Sequence, residues 1–146
     1  MKKIVAITLC IITLFIGGCK PREYTFPNKN QPVNKIELLY NPFSEKGTGS
    51  RTMELICTLE DESVDAFLEE LYSLDTSRCT TPPPRNYGVY IARVVYQNGD
   101  VEMFGSRHIE FIEKGDTPKA IGEYYFSGDA FDKLFLEYAE KEDGSP

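Results

Sequence analysis

The sequence predicts an α+β domain: an antiparallel sheet of about five strands with two helices packed on one face, in the order ββαβββα. Three observations carry this. Several segments alternate apolar and polar residues with period two. Asn98-Gly99 joins two of them as a hairpin turn. Two further segments place apolar residues at i, i+3, i+4 and i+7, the spacing of a one-faced helix.

Ile36, Leu38 and Tyr40 alternate with their neighbours as a strand, ended by Asn41-Pro42. A glycine-containing loop over 44–50 follows, and it lacks the Gly-Lys-Ser/Thr ending of a phosphate loop. Met53, Leu55, Cys57 and Leu59 then share one face of a second strand. Asp61-Glu62-Ser63 supplies cap-type side chains and negative charge for a helix start. Val64, Phe67, Leu68 and Leu71 form its apolar stripe, and the helix is expected to end near Leu74. Residues 75–88 read as an irregular connection. Tyr87 to Gln97 reads as a long strand with Tyr90, Ala92, Val94 and Tyr96 on one face. Asn98-Gly99 returns the chain into Val101–Phe104, with both turn positions expected at positive φ. A slip at Gly105-Ser106 suggests a bulge, with Ile109–Ile112 continuing that strand or forming another. Gly122–Phe126 reads as an edge strand. Asp129 caps a second helix bearing Phe131, Leu134, Phe135 and Tyr138 as its stripe, and a polar tail closes the chain. The folded domain is placed at 35–142 and the frayed tail at 143–146.

The chain opens with Lys2-Lys3, an apolar run from Ile4 to Ile16, and Gly17-Gly18 before Cys19. The run suits a secretory h-region and is short for a membrane span. This leader resembles that of bacterial lipoproteins, with Ile16-Gly17-Gly18-Cys19 as the lipobox and Ile16 where Leu is more usual. The resemblance covers the leader alone. It implies removal of residues 1–18, a palmitate-type acyl anchor on Cys19 and an extracytoplasmic location on a bacterial membrane. Residues 19–34, with three prolines, then read as a tether; docking of Tyr24 and Phe26 on the domain is the alternative.

The 16 basic and 23 acidic residues give a net charge of −7, and loss of Lys2 and Lys3 with the leader takes it to −9. That balance argues against nucleic acid as a partner and suits a basic protein or cationic ligand. With Cys10 in the leader and Cys19 lipidated, Cys57 and Cys79 are left as a candidate disulfide in an oxidising compartment. Such a loop would stabilise the fold by about 3 kcal/mol in the chain-entropy model. Two thiols are the alternative, since pairing geometry is not in the sequence.

No catalytic set stands out. Ser106 and His108, the single histidine, share a strand face on alternation, yet the serine lacks a nucleophile-elbow pattern and no acid is placed to orient the imidazole. One histidine with paired cysteines leaves a zinc site short of ligands, and no cofactor is expected. The carboxylates read as caps and solvated helix faces. Pro82-Pro83-Pro84-Arg85-Asn86-Tyr87 reads first as a rigid connection and second as a partner contact through Pro83, Arg85 and Tyr87. The favoured reading is a non-catalytic, membrane-anchored binding module, with an inhibitor-like lipoprotein as its narrower form. The alternative is an envelope hydrolase acting on glycan or peptide.

Overall fold

The structure, a computed structural model, describes residues 24–42, 53–78, 88–106, 108–112, 119–120 and 124–143. β1 (Val33–Tyr40), β2 (Glu54–Leu59), β4 (Tyr90–Tyr96), β5 (Val101–Gly105), β6 (His108–Ile112) and the two-residue β7 (Lys119–Ala120) form an antiparallel sheet in the order β2-β1-β4-β5-β6-β7. β3 (Thr76–Arg78) and β8 (Tyr124–Phe126) form a separate two-stranded sheet. The helices are α1 (Glu62–Ser73) and α2 (Ala130–Asp143). The α+β class, the antiparallel sheet and the two helices are as the sequence predicts.

The core follows from the two periodicities. Leu38, Ala92, Phe104 and Ile109 stand opposite one another across β1, β4, β5 and β6, all buried on one sheet face. Both helical stripes close on that face: Val64, Phe67, Leu68 and Leu71 from α1, and Phe131, Leu134, Phe135 and Tyr138 from α2. Aromatic contacts knit the layers, with Phe126 stacked on Phe131 at 5.0 Å and Phe67 edge-on to Tyr138 at 5.2 Å. On the opposite sheet face a small second cluster gathers Leu39, Ile91 and Met103. Glu37 bridges Lys35 and its cross-strand partner Arg93.

Several details depart from the sequence reading. The register of β1 against β2 shifts between Leu38 and Leu39, so that Leu38 faces Cys57 and Leu39 faces Leu55. The extra residue is Ile56, and the alternation breaks there: Leu59 is fully buried while Leu55 is 58% exposed. At the β4–β5 hairpin Gly99 has φ 93° and Asn98 does not share it. Tyr96 N–H donates to the Asp100 carbonyl and Gly99 N–H to the Tyr96 carbonyl, so three residues lie between the paired Tyr96 and Asp100, with Gly99 at the left-handed position, rather than the two of a primed turn. Of the two readings of Ile109–Ile112, the structure has the further strand: Gly105 pairs with His108, so β5 and β6 are two strands, and the slip at Gly105-Ser106 is a strand-to-strand connection and not a bulge. Within the span read as an edge strand, 122–126, β8 pairs with β3, which is three residues long and lies within the segment read as irregular. α2 runs to Asp143, one residue into the span read as tail.

The largest difference concerns the segment read as a tether. Its described part, from Tyr24 onward, packs on the domain, and β1 begins at Val33. Tyr24 and Asn28 are buried and Phe26 is half-buried. A tyrosine and a phenylalanine among turn residues provide apolar area that outweighs the freedom of a loose chain.

Candidate functional site

Docking of the N-terminal segment creates a groove. Tyr24 N–H donates to Thr76 Oγ1 at 2.8 Å, just past α1, and the Tyr24 hydroxyl donates to Glu102 Oε1 at 3.1 Å. The Phe26 ring lies 4.8 Å from that of Tyr72 and 4.9 Å from that of Tyr24. Pro27-Asn28-Lys29-Asn30 then turns the chain, with Gln31 N–H donating to the Asn28 carbonyl. Gln97 N–H donates to the Pro32 carbonyl and ties the segment to the end of β4. This wall meets α1 at Tyr72 and leaves a space beside the rest of the helix.

The space between is an open cleft of about 750 Å³. Its α1 side carries Asp61, Glu62, Asp65 and Glu69, all exposed, over Val64, Leu68 and Tyr72. Spacings of three and four residues put Glu62, Asp65 and Glu69 along one side of the helix. Lys29 stands on the opposite wall with its ammonium 5.5 Å from the Tyr72 ring centre. A second cleft of about 340 Å³, shared at Lys29 and Tyr72, continues toward Tyr24, Ser73 and Asp75. Asp61 has φ 50° and ψ −125°, the one non-glycine residue at positive φ among the described residues, and its side chain makes no capping bond. The helix start is closed by backbone instead, with Val64 N–H donating to the Asp61 carbonyl.

Behind this wall lies a buried carboxylate. Glu102 is 1% exposed and shares the inward face of β5 with Phe104. It accepts from the Tyr96 hydroxyl at 2.5 Å and from Tyr24. Burial raises its pKa above the ordinary glutamate value, against hydrogen bonds from Tyr96, Tyr24 and Asn28 that favour the charged form. Burial and the neighbouring carboxylate likewise push the Tyr24 and Tyr96 hydroxyls up, so they act as donors throughout the usual pH range. Enclosure keeps this group from any substrate, and its work is to hold Tyr24 and Tyr96 in place.

Of the residues singled out from sequence, Cys19, Cys79, Pro83, Arg85 and Tyr87 lie outside the described residues. Cys57 sits half-buried on β2 opposite Leu38. Ser106 follows β5, next to Gly88, where an added Cβ would stand 2.5 Å from Ser106 Oγ. Ser106 and Asp132 both line a cleft of about 300 Å³, and His108 pairs with Gly105 on β6. Ser106 belongs to a strand-to-strand connection, not to a strand-to-helix elbow. Among the described residues, no three His, Cys, Asp or Glu side chains converge as a metal site. No helix among them is long and apolar enough to cross a membrane.

The acidic row and Glu102 escape a reading that treats acids as solvated surface. Two signals point to them: Asp65 and Glu69 lie four residues apart, and Glu102 has the same strand parity as the core residue Phe104. On the opposite wall the signal is Tyr24 and Phe26, and the proline-rich polar stretch around them favours the linker reading over docking.

Comparison with protein-family models, with curated proteins and with solved structures finds no match.

Proposed function

We propose that this chain is an extracytoplasmic lipoprotein whose domain, without a catalytic centre, binds a cationic segment of another protein in the groove beside α1. The observation that carries the reading is the groove itself: four exposed carboxylates along one wall of an open cleft of about 750 Å³, with apolar and aromatic surface beneath them. Lysine or arginine side chains fit this combination, since their stems lie on apolar surface while their charged ends reach carboxylates. The strained backbone at Asp61, at one end of the groove, is the kind of feature that gathers at binding sites. The net acidic charge adds long-range attraction for such a partner. The leader supports the anchor on Cys19, and export supports a Cys57–Cys79 disulfide.

The test is titration of the lipidated protein, held in neutral detergent, with a lysine- and arginine-rich peptide. The double variant Asp65→Lys/Glu69→Lys is expected to bind about tenfold or more weakly, and Glu54→Lys, an exposed acid on β2, to bind as the parent does. Affinity is expected to fall as salt rises. Equal weakening by the groove and β2 substitutions would reduce the interaction to net charge and overturn the assignment.

A further inference from the structure

We propose that the face of the Tyr72 ring is the cation seat of the groove, and that Lys29 occupies this seat in the free protein until a lysine or arginine side chain of the partner takes it. This rests on the groove reading above and names the residue that selects the partner.

The lysines of the domain make the first argument. Lys35, Lys133 and Lys141 lie 2.6, 3.0 and 2.8 Å from the carboxylates of Glu37, Asp129 and Glu137. Lys29 makes no such ion pair among the described residues, although the acidic row stands across the cleft from it. Its ammonium lies over the Tyr72 ring instead. Lys141 also stands over a ring, that of Tyr138 at 4.5 Å, but there Glu137 pins it. Lys29 has no such pin, and it is exposed within the turn over 27–30. A cation over a ring at an exposed site is held weakly, so another cation can displace it.

The seat itself is fixed. The Tyr72 hydroxyl oxygen is buried and its ring packs against that of Phe26. Tyr72 belongs to the last turn of α1, which carries no basic residue of its own. The carbonyls at a helix C-terminus favour a positive charge nearby. The ring also borders both clefts, with Glu69 lining the groove and Asp75 lining its continuation. Ring face, helix end and two carboxylates all favour a cation, and only the flexible side chain of Lys29 fills the position.

The arrangement selects among cations. A lysine carried by the same fold meets the ring at an effective concentration on the order of millimolar, so a ligand with a single charge competes poorly. A segment with several lysines or arginines is held first by the acidic row and then displaces Lys29. Its side-chain stems lie along Val64 and Leu68, which line the groove. The inferred ligand is therefore a multibasic segment and not a small monocation.

The experiment is calorimetric titration of the full lipidated chain, in neutral detergent, with a pentalysine peptide. Lys29→Met is expected to tighten binding about three- to fivefold, the worth of one exposed cation over a ring. Lys133→Met makes the same change in net charge away from the groove and is expected to leave affinity as in the parent. Tyr72→Leu is expected to remove the gain when combined with Lys29→Met and to change little alone, so the two substitutions are not additive. A second measurement needs no substitution and stands even if Tyr72→Leu fails to fold. The ε-methylene protons of Lys29, moved upfield by the ring current of Tyr72 in the free protein, are expected to shift to the position of a solvent-exposed lysine as the peptide binds. Equal gains from Lys29→Met and Lys133→Met would reduce the effect to net charge and overturn the seat. Lys29 signals that stay in place at saturation would overturn the displacement. Binding that is insensitive to Asp65→Lys/Glu69→Lys overturns the groove reading itself, while the Lys29 signals still report separately whether the ring is occupied.

Discussion

Glu102 is an inward-facing acid that a strand alternation places in the core and that two tyrosines make tolerable there. Its raised pKa has a definite sign. The folded state binds the proton more tightly than the unfolded chain, so the contribution of Glu102 to stability is greatest at low pH. That contribution declines as pH rises from the ordinary value of 4.5 through the raised one. Relative to Glu102→Gln, the parent should therefore gain stability as pH falls toward the ordinary value of 4.5, which urea midpoints at a series of pH values would check. A flat difference between the two would contradict it. Glu37 runs the other way: burial opposes its charge, but Lys35 and Arg93 outweigh that and hold its carboxyl below the usual range. Its share of stability is present above the ordinary value and lost as pH falls through the lowered one. Glu102→Ala leaves two buried hydroxyls without their acceptor and should destabilise by about 3 kcal/mol. At Asp61 the strained φ has no capping bond to justify it, so Asp61→Gly should stabilise the fold by roughly 1 kcal/mol, read from thermal or urea unfolding. Equal or lower stability would show that the aspartate contributes something else at the helix start.

At the scale of elements, the helices and the central strands were legible because their apolar spacing has one solution. Every residue of both helical stripes is buried, as is the β4 row of Ala92, Val94 and Tyr96. The misread elements lack a long enough pattern. β3 and β8 have three residues each, too few to display a period, and are held by each other and by Ser127 N–H on the Asp75 carbonyl. In β2 the pattern was long but misleading, since a single bulge at Ile56 carries Leu55 outward. That displacement makes a contrast to test. Leu55→Thr should change stability by less than about 0.5 kcal/mol, whereas Leu38→Ala, from a fully buried site, should cost about 2–5 kcal/mol. A large effect at Leu55 would mean that the bulge is misplaced. The site was less legible than the fold. The acids of its α1 wall read as caps and a solvated helix face, because a groove needs two walls and the second depends on how Tyr24 and Phe26 meet residues 50 to 80 positions away.

For the whole molecule, the proposed anchor and the proposed groove are tested apart from one another. Cys19→Ser should leave the precursor unacylated and its leader uncleaved by the lipoprotein route; fatty-acid labelling that persists in the variant would contradict the anchor. Cys57 and Cys79 should resist alkylation until reductant is added, and ready alkylation of both in the native protein would contradict the disulfide. The most direct measurement is position-resolved photocrosslinking in intact cells, with the reactive group placed at Asp65 or Glu69 in the groove and at Glu54 on β2. One shared adduct is expected from the two groove positions, retained in the membrane fraction, absent from Glu54 and lost with Cys19→Ser. An adduct from Glu54 with none from Asp65 or Glu69 would contradict it.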